Sequence, residues 1–115
     1  MSLYKGYVYL IEDVNSSIYK IGVTRTWKDE RGQVRRLKAL QTGNSSELKL
    51  SHIFPTQWPF RLETMLHNRF KKYHVSGEWY DLPTKYVDEF NIICVELDNT
   101  IKSLLDNPFF NKNIK

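Results

Sequence analysis

The chain has 115 residues, of which 41% are hydrophobic and 26% charged, and it carries a net charge of +4. This length and composition predict one globular domain and exclude disordered and fibrous classes. No apolar run reaches the roughly 18 residues that a membrane helix needs, and the single cysteine excludes an internal disulfide and a multi-cysteine metal site. We therefore expect an intracellular protein, cytoplasmic or nuclear, with no secretory signal and no membrane partner.

The first part of the chain predicts a β-hairpin followed by a helix. Residues that favour strands alternate over 7–12 and again over 18–24, and a turn-forming cluster at 13–17 lies between them. In 31–41, apolar residues recur every three positions, which is typical of a helix with one buried face.

A third strand and a second helix are predicted next. Alternating residues over 47–54 indicate the strand, which we expect Pro55 to end. Pro59 precedes a helix with one apolar stripe, whose members are Leu62, Met65, Leu66, Phe70 and Tyr73. The Ser76-Gly77 pair is expected to interrupt the chain after it.

The last predicted element is a long helix over 84–106. Its apolar residues alternate spacings of three and four, and a short strand at 92–96 is the alternative. The same pattern could form the seam of a homodimer, but it is too short for a convincing coiled coil, which favours packing on the protein's own sheet. We predict an α/β fold with a small three-stranded antiparallel sheet flanked by helices. The single domain covers 1–106, with a core at 6–82, a C-terminal helical extension at 84–106 and a flexible tail at 107–115.

Positive charge is concentrated in the first two-thirds of the chain. Residues 1–75 contain 13 Lys and Arg against 6 Asp and Glu, whereas 76–115 contain 4 against 7. A basic surface with interspersed aromatic residues indicates a nucleic-acid partner, because cations that neutralise phosphates release counterions. A solvated basic face is the alternative. The candidate backbone-binding residues are Arg25, Lys28, Arg31, Arg35, Lys38, Arg69, Lys71 and Lys72.

Five segments in order resemble the GIY-YIG nuclease superfamily. They are Gly6–Ile11, Tyr19–Thr24, Arg36–Asn44, Leu62–His67 and Gly77–Tyr80. The chain is most similar to a branch of small phage, bacterial and viral proteins with Tyr-Lys-Ile-Gly and a late Gly-Glu-Trp-Tyr. No single segment is specific, but their order is.

The resemblance implies a set of site residues. In that family one glutamate holds a single divalent metal, and tyrosines, a lysine or histidine, and an arginine surround the scissile phosphate. Glu63 matches the metal-binding glutamate, Tyr9 the tyrosine of the first motif and Arg36 the arginine of the first helix. Lys20 stands where the second motif usually has its tyrosine. Arg31 and Arg35 compete with Arg36 for its place, because the segment before it is longer than the family pattern.

Helix geometry supports part of this assignment. Arg36 lies about 100° from the centre of the apolar stripe of its helix, at the border of the buried face. Glu63 also borders its stripe, and His67 follows it by four residues on the same side of the helix. Each residue also has an ordinary role open to it. Tyr9 would pack across strands, Lys20 would be solvated, and Arg36 would pair with Glu63 or Glu47.

The sequence therefore predicts a metal-dependent endonuclease that hydrolyses phosphodiester bonds of DNA, with double-stranded DNA as its partner. Glu63 would bind Mg²⁺ or Mn²⁺, and no small-molecule cofactor is expected. Arg36 would stabilise the pentacovalent phosphate, and Tyr9, or Lys20 with His67 near it, would activate the attacking water. The alternatives are a nucleic-acid-binding or interaction module of the same fold without the chemistry, and a structural protein.

Overall fold

The computed structural model describes residues 5–26 and 35–106, which form an α/β fold. An antiparallel sheet lies between one helix on one face and two longer helices on the other. The strands are β1 (Gly6–Asp13), β2 (Ile18–Thr24), β3 (Leu48–Thr56), β4 (His74–Ser76) and β5 (Trp79–Tyr80). The helices are α1 (Arg35–Thr42), α2 (Pro59–Arg69), α3 (Thr84–Asp88) and α4 (Phe90–Asp106), and a 3₁₀ turn covers Lys71–Tyr73.

The sheet has the strand order β3-β1-β2-β5-β4. The predicted α/β fold is confirmed: the three predicted strands are its long members, and two short strands extend the sheet to five. The hairpin of β1 and β2 is in register from Tyr7↔Thr24 to Asp13↔Ile18. Strand β5 continues the sheet over two pairs only, Tyr19↔Tyr80 and Lys20↔Trp79. Beyond Lys20, the outer edge of β2 has no strand partner among the described residues.

Alternation along β1 divides the core between the two faces of the sheet. Val8 and Leu10 point towards α2 and α4 and join the larger cluster, which contains Leu62, Leu66, Phe90 and Cys94. Tyr9 and Ile11 point the other way and pack with Leu48 under Leu37 and Leu40 of α1. Opposite residues of an antiparallel pair share a face, so the register of Tyr9 with Gly22 also assigns Gly22 and Lys20 to the α1 side.

Two predicted boundaries differ from the structure. Strand β3 continues through Pro55 to Thr56, because β3 is an edge strand and the missing N–H of proline costs no ladder hydrogen bond there. The predicted helix over 84–106 is two helices separated at Glu89. Residues 92–96 belong to α4, so the alternative of a strand is wrong.

Helix α4 packs on the protein's own sheet. Phe90, Cys94 and Ile101 are buried, and the Thr56 hydroxyl at the end of β3 donates a 2.6 Å hydrogen bond to Asp98 of α4. None of the described helices is long and apolar enough to span a bilayer. The predicted tail at 107–115 and the first residues of the predicted helix at 31–41 lie outside the described residues.

Candidate metal and phosphodiester site

The candidate site lies where β2 loses its strand partner. Past the last pair with β5, the N–H of Ile21 donates to the carbonyl of Glu78 over 3.0 Å. The carbonyl of Ile21 lies 3.2 Å from Nε2 of His67 on α2. A carbonyl can only accept, so Nε2 carries a proton and, in the neutral ring, Nδ1 has the lone pair. The edge of β2 thus orients His67 and the Glu78 turn towards each other.

Two carboxylates and an imidazole meet at this point. One ligand atom from each of Glu63, His67 and Glu78 lies within 4.8 Å of the other two. Glu63 and His67 come from successive turns of α2, as their spacing of four predicts. Glu78 comes from the turn before β5, so a contact distant in sequence completes the cluster, which we call the acidic cluster.

The two carboxylates of the acidic cluster differ in their electrostatics. The pKa of Glu63 is raised from 4.5 to about 7: burial is the largest cause, a hydrogen bond to Glu78 and the negative charge of Glu78 add to it, and the charge of Lys20 opposes it. Burial also acts on Glu78, but hydrogen bonds with Lys20 and Glu63 and the charge of His67 outweigh it, so the pKa of Glu78 is lowered. Below about pH 7 the proton of this pair therefore resides on Glu63, while Glu78 stays ionised.

Lys20 is a member of the site through its ion pair. Its Nζ lies 2.9 Å from Oε2 of Glu78, and only 14% of the side chain is exposed. The ammonium also lies 5.7 Å from the ring centre of Trp79, the residue opposite it on β5. Lys20 is thus a half-buried cation beside the acidic cluster and not a solvated strand lysine.

Tyr9 lies next to the site on the α1 side of the sheet and is fully buried. Its side chain packs with Ile11 and Leu48, as the ordinary packing interpretation expects. Its hydroxyl covers Gly22, where a Cβ atom would overlap with it. Glycine at this position therefore makes room for the tyrosine of the neighbouring strand.

The predicted cations lie on several elements. Arg36 and Arg35 are in the first turn of α1, which packs over Tyr9, but their side chains lie outside the described residues, as do Lys28 and Arg31. Arg25 is exposed at the end of β2, and Lys38 is exposed on α1. Arg69, Lys71 and Lys72 are exposed at the end of α2 and in the following 3₁₀ turn.

A divalent cation fits the acidic cluster on chemical grounds. Oε2 of Glu63 is the one buried side-chain oxygen or nitrogen without a hydrogen-bond partner among the described residues. Such an atom is costly unless a cation or proton satisfies it. Carboxylate oxygens suit Mg²⁺ and Mn²⁺, and the imidazole suits later transition metals as well. The residues that could hold the ion are Glu63, Glu78 and His67.

Glu78 is the member of the site to which the sequence analysis gave no role. It was part of the Gly-Glu-Trp-Tyr segment that supports the resemblance, so a signal for it was present. Its proximity to Glu63 depends on the pairing of β5 with β2, which two residues mediate. A strand of two residues is too short to show the alternation of apolar and polar residues that predicts a strand from sequence.

Comparison with known proteins gave one family match. The model of the T5orf172 domain matches residues 6–96, which include every strand and all three members of the acidic cluster. No curated protein and no solved structure matches the chain.

Proposed function

Since the chain belongs to the T5orf172 domain family, a GIY-YIG-like, nuclease-associated family, we propose that it is a divalent-metal-dependent endonuclease that hydrolyses DNA phosphodiester bonds. The observation that carries the proposal is the orphaned Oε2 of Glu63 within a cluster of two carboxylates and one imidazole. Half-buried carboxylates placed together against their mutual repulsion are typical of a site that receives a cation.

The ion would be held by Glu63 and Glu78, with His67 beside them. When bound, Mg²⁺ or Mn²⁺ would supply positive charge for the phosphoryl oxygens and favour ionisation of a water molecule. Glu63 must lose its proton for the carboxylate to bind the ion.

The other residues would bind the phosphate and move the proton. The ammonium of Lys20, which pairs with Glu78, has no lone pair to accept a proton, and its charge suits a phosphate oxygen. Tyr9 is fully buried, so His67 is the better candidate to take the proton of the attacking water through Nδ1. Arg36, on the helix that packs over Tyr9, is proposed to neutralise the developing charge of the transition state.

The test is nicking of supercoiled plasmid by the purified protein with Mn²⁺ or Mg²⁺. The wild type should produce nicked circles and EDTA should stop the reaction. Glu63→Gln and Glu78→Gln should each slow cleavage by about 10²–10³-fold, as expected when a charge-stabilising group is removed. Glu96→Gln, a matched change on the exposed face of α4, should cleave like the wild type.

A binding module without chemistry is the second candidate, and the ion pair of Lys20 with Glu78 favours it, because Lys20 stands where the GIY-YIG superfamily usually has a tyrosine. It predicts DNA binding by the wild type and no cleavage with any of several divalent metals. Cleavage by Glu63→Gln at the wild-type rate would instead remove the acidic cluster from the mechanism.

A further inference from the structure

A cavity opens at the N-terminal end of α2, outside the acidic cluster. Its volume is about 500 Å³, which is within the roughly 300–1,000 Å³ range of small-ligand pockets. A second cavity of about 280 Å³ shares three lining residues with it, Arg25, Pro59 and Phe60. The two cavities are neighbours between the end of β2 and the first turn of α2, and we call them together the α2 cleft.

The lining of the α2 cleft combines cations with aromatic rings. Lys5 and Arg25 supply positive charge, and Trp58 and Phe60 supply rings. Phe60 is 59% exposed although it is large and apolar, so it contributes little to the core. An exposed ring in a cavity that cations also line is an arrangement by which proteins hold a nucleic-acid strand, since bases stack on the ring and phosphates bind the charge.

The α2 cleft is adjacent to the acidic cluster along two elements. Phe60, Glu63 and His67 are spaced by three and four residues, so they follow one another on the same side of α2. On β2, Lys20 lies at the cluster, and Arg25, just past the end of the strand, lies at the cleft. A DNA strand with its scissile phosphate at Glu63 therefore has a neighbouring nucleotide within reach of the α2 cleft.

We propose that the α2 cleft is a nucleotide subsite that takes one unstacked nucleotide of the DNA strand close to the scissile phosphate. Its base stacks on Phe60 and its phosphate binds Lys5 and Arg25. The proposal deepens the proposed function and rests on it, because it assumes a nucleic-acid substrate at Glu63. It adds Lys5, Trp58 and Phe60 to the nucleic-acid contacts and gives Arg25 a defined role.

The first test separates stacking from charge. Binding of a fluorescein-labelled ten-nucleotide oligothymidylate is measured by anisotropy and compared with an abasic oligomer of the same length and charge. The protein carries Glu63→Gln, and EDTA is present, so that no cleavage intervenes. Phe60→Ala should weaken binding of the oligothymidylate by about 5- to 150-fold, the range that loss of one stacked base gives. Binding of the abasic oligomer should change less than about 2-fold.

Ile92→Ala is the matched control, because Ile92 is 61% exposed on α4, away from the cleft. It should bind both oligomers as the parent does. Arg25→Gln should weaken binding of both oligomers and lower the slope of log affinity against log salt by about one. Lys102→Gln, the same charge change on α4, should leave the slope unchanged. Thermal melts of each variant show that the fold is kept.

Equal binding of the oligothymidylate by Phe60→Ala and its parent, or an equal loss on both oligomers, would overturn the subsite. Failure of the subsite leaves plasmid nicking by the wild type intact, so the two proposals fail separately. The wild type could fail to nick plasmid while Phe60→Ala weakens binding of the oligothymidylate and not of the abasic oligomer. In that case the cleft is a nucleotide site and the nuclease assignment is wrong. Absence of binding to either oligomer by the parent would overturn the subsite as well.

Discussion

Glu63 has a carboxyl group that its surroundings hold protonated at a pH where it would ordinarily be charged. Burial is the largest cause, and the neighbouring carboxylate of Glu78 adds to it, so the pKa is about 7 and not 4.5. The unfolded chain releases the proton at lower pH than the folded protein. Without a metal ion, Glu63 therefore favours folding below about pH 4.5 and loses that contribution as pH rises towards 7.

Glu63→Gln removes this titration and should stabilise the metal-free protein at high pH. The full shift corresponds to about 3 kcal/mol, and because the side chain is partly exposed, screening by solvent reduces the expected gain to about 1 kcal/mol. Urea unfolding in EDTA should show the variant gaining stability relative to wild type between pH 4.5 and 7 and not below. Glu96→Gln, on the exposed face of α4, is the control for the loss of one carboxylate. A gain from Glu63→Gln that is the same at all pH values would contradict the account.

The sequence predicted some of the site residues more securely than others. The spacing of Glu63 and His67 on one helix placed them together, since neighbours four apart on a helix meet whatever the rest of the fold does. Glu78 could not be placed in the same way, because its partner is 15 positions away in the chain and the contact depends on tertiary pairing. The roles of Tyr9, Lys20, Arg36, Glu63 and His67 stay predictions.

Between elements, the register of β1 and β2 is what sets Tyr9 against Gly22. A one-residue slip of the hairpin would move both residues to the other face of the sheet and expose the core face of β1. The clear alternation of 7–12 and the turn at 13–17 made this hairpin predictable from the sequence. The pairing of β5 with β2 was not predictable, because two residues give no period.

Gly22→Ala should destabilise the protein by about 1–3 kcal/mol, because its Cβ overlaps with the Tyr9 hydroxyl. The ring carbon Cζ of Tyr9 overlaps with that Cβ as well, so Tyr9→Leu, which removes the hydroxyl and the ring together, should relieve the overlap. The double variant should then be more stable than the sum of the single changes implies, by about 0.5–3 kcal/mol. Gly43→Ala is the control, since a Cβ there meets no atom within 4 Å. Additive single changes in chemical unfolding would show that the two side chains do not collide.

The break between α3 and α4 shows a second limit of periodicity. Apolar spacing continues from Val87 through Phe90 to Cys94, and all three are buried, so the pattern has no gap at Glu89. The pattern reports which residues face the core and does not report whether the backbone hydrogen bonds continue. One long helix and two helices with a common buried face therefore give the same pattern of apolar residues in the sequence.

On the scale of the whole molecule, α2 aligns the features that a DNA strand would meet. Its first turn borders the α2 cleft, Glu63 lies near its middle and His67 in its last turn, and the exposed Lys71 and Lys72 follow. The helix has 11 residues and is about 16 Å long. The overall excess of positive charge makes an electrostatic contribution to any such contact.

Replacing Lys71 and Lys72 together with Gln should weaken DNA binding to a similar extent on all sequences. The slope of log affinity against log salt should fall by about two, one for each lost phosphate contact. The matched control is the pair Lys85→Gln and Lys102→Gln, which removes the same charge from α3 and α4. If both double variants lower the slope equally, the effect is one of net charge and the strand does not follow α2.

The most direct test of the central claim is to look for a cation at the acidic cluster. A crystal of the wild-type protein soaked in Mn²⁺ should show anomalous density in contact with the carboxylates of Glu63 and Glu78. A crystal of Glu63→Gln soaked in the same way should show none there. Anomalous density confined to other positions in the wild type, or equal density in the Glu63→Gln crystal, would contradict a metal centre built on Glu63.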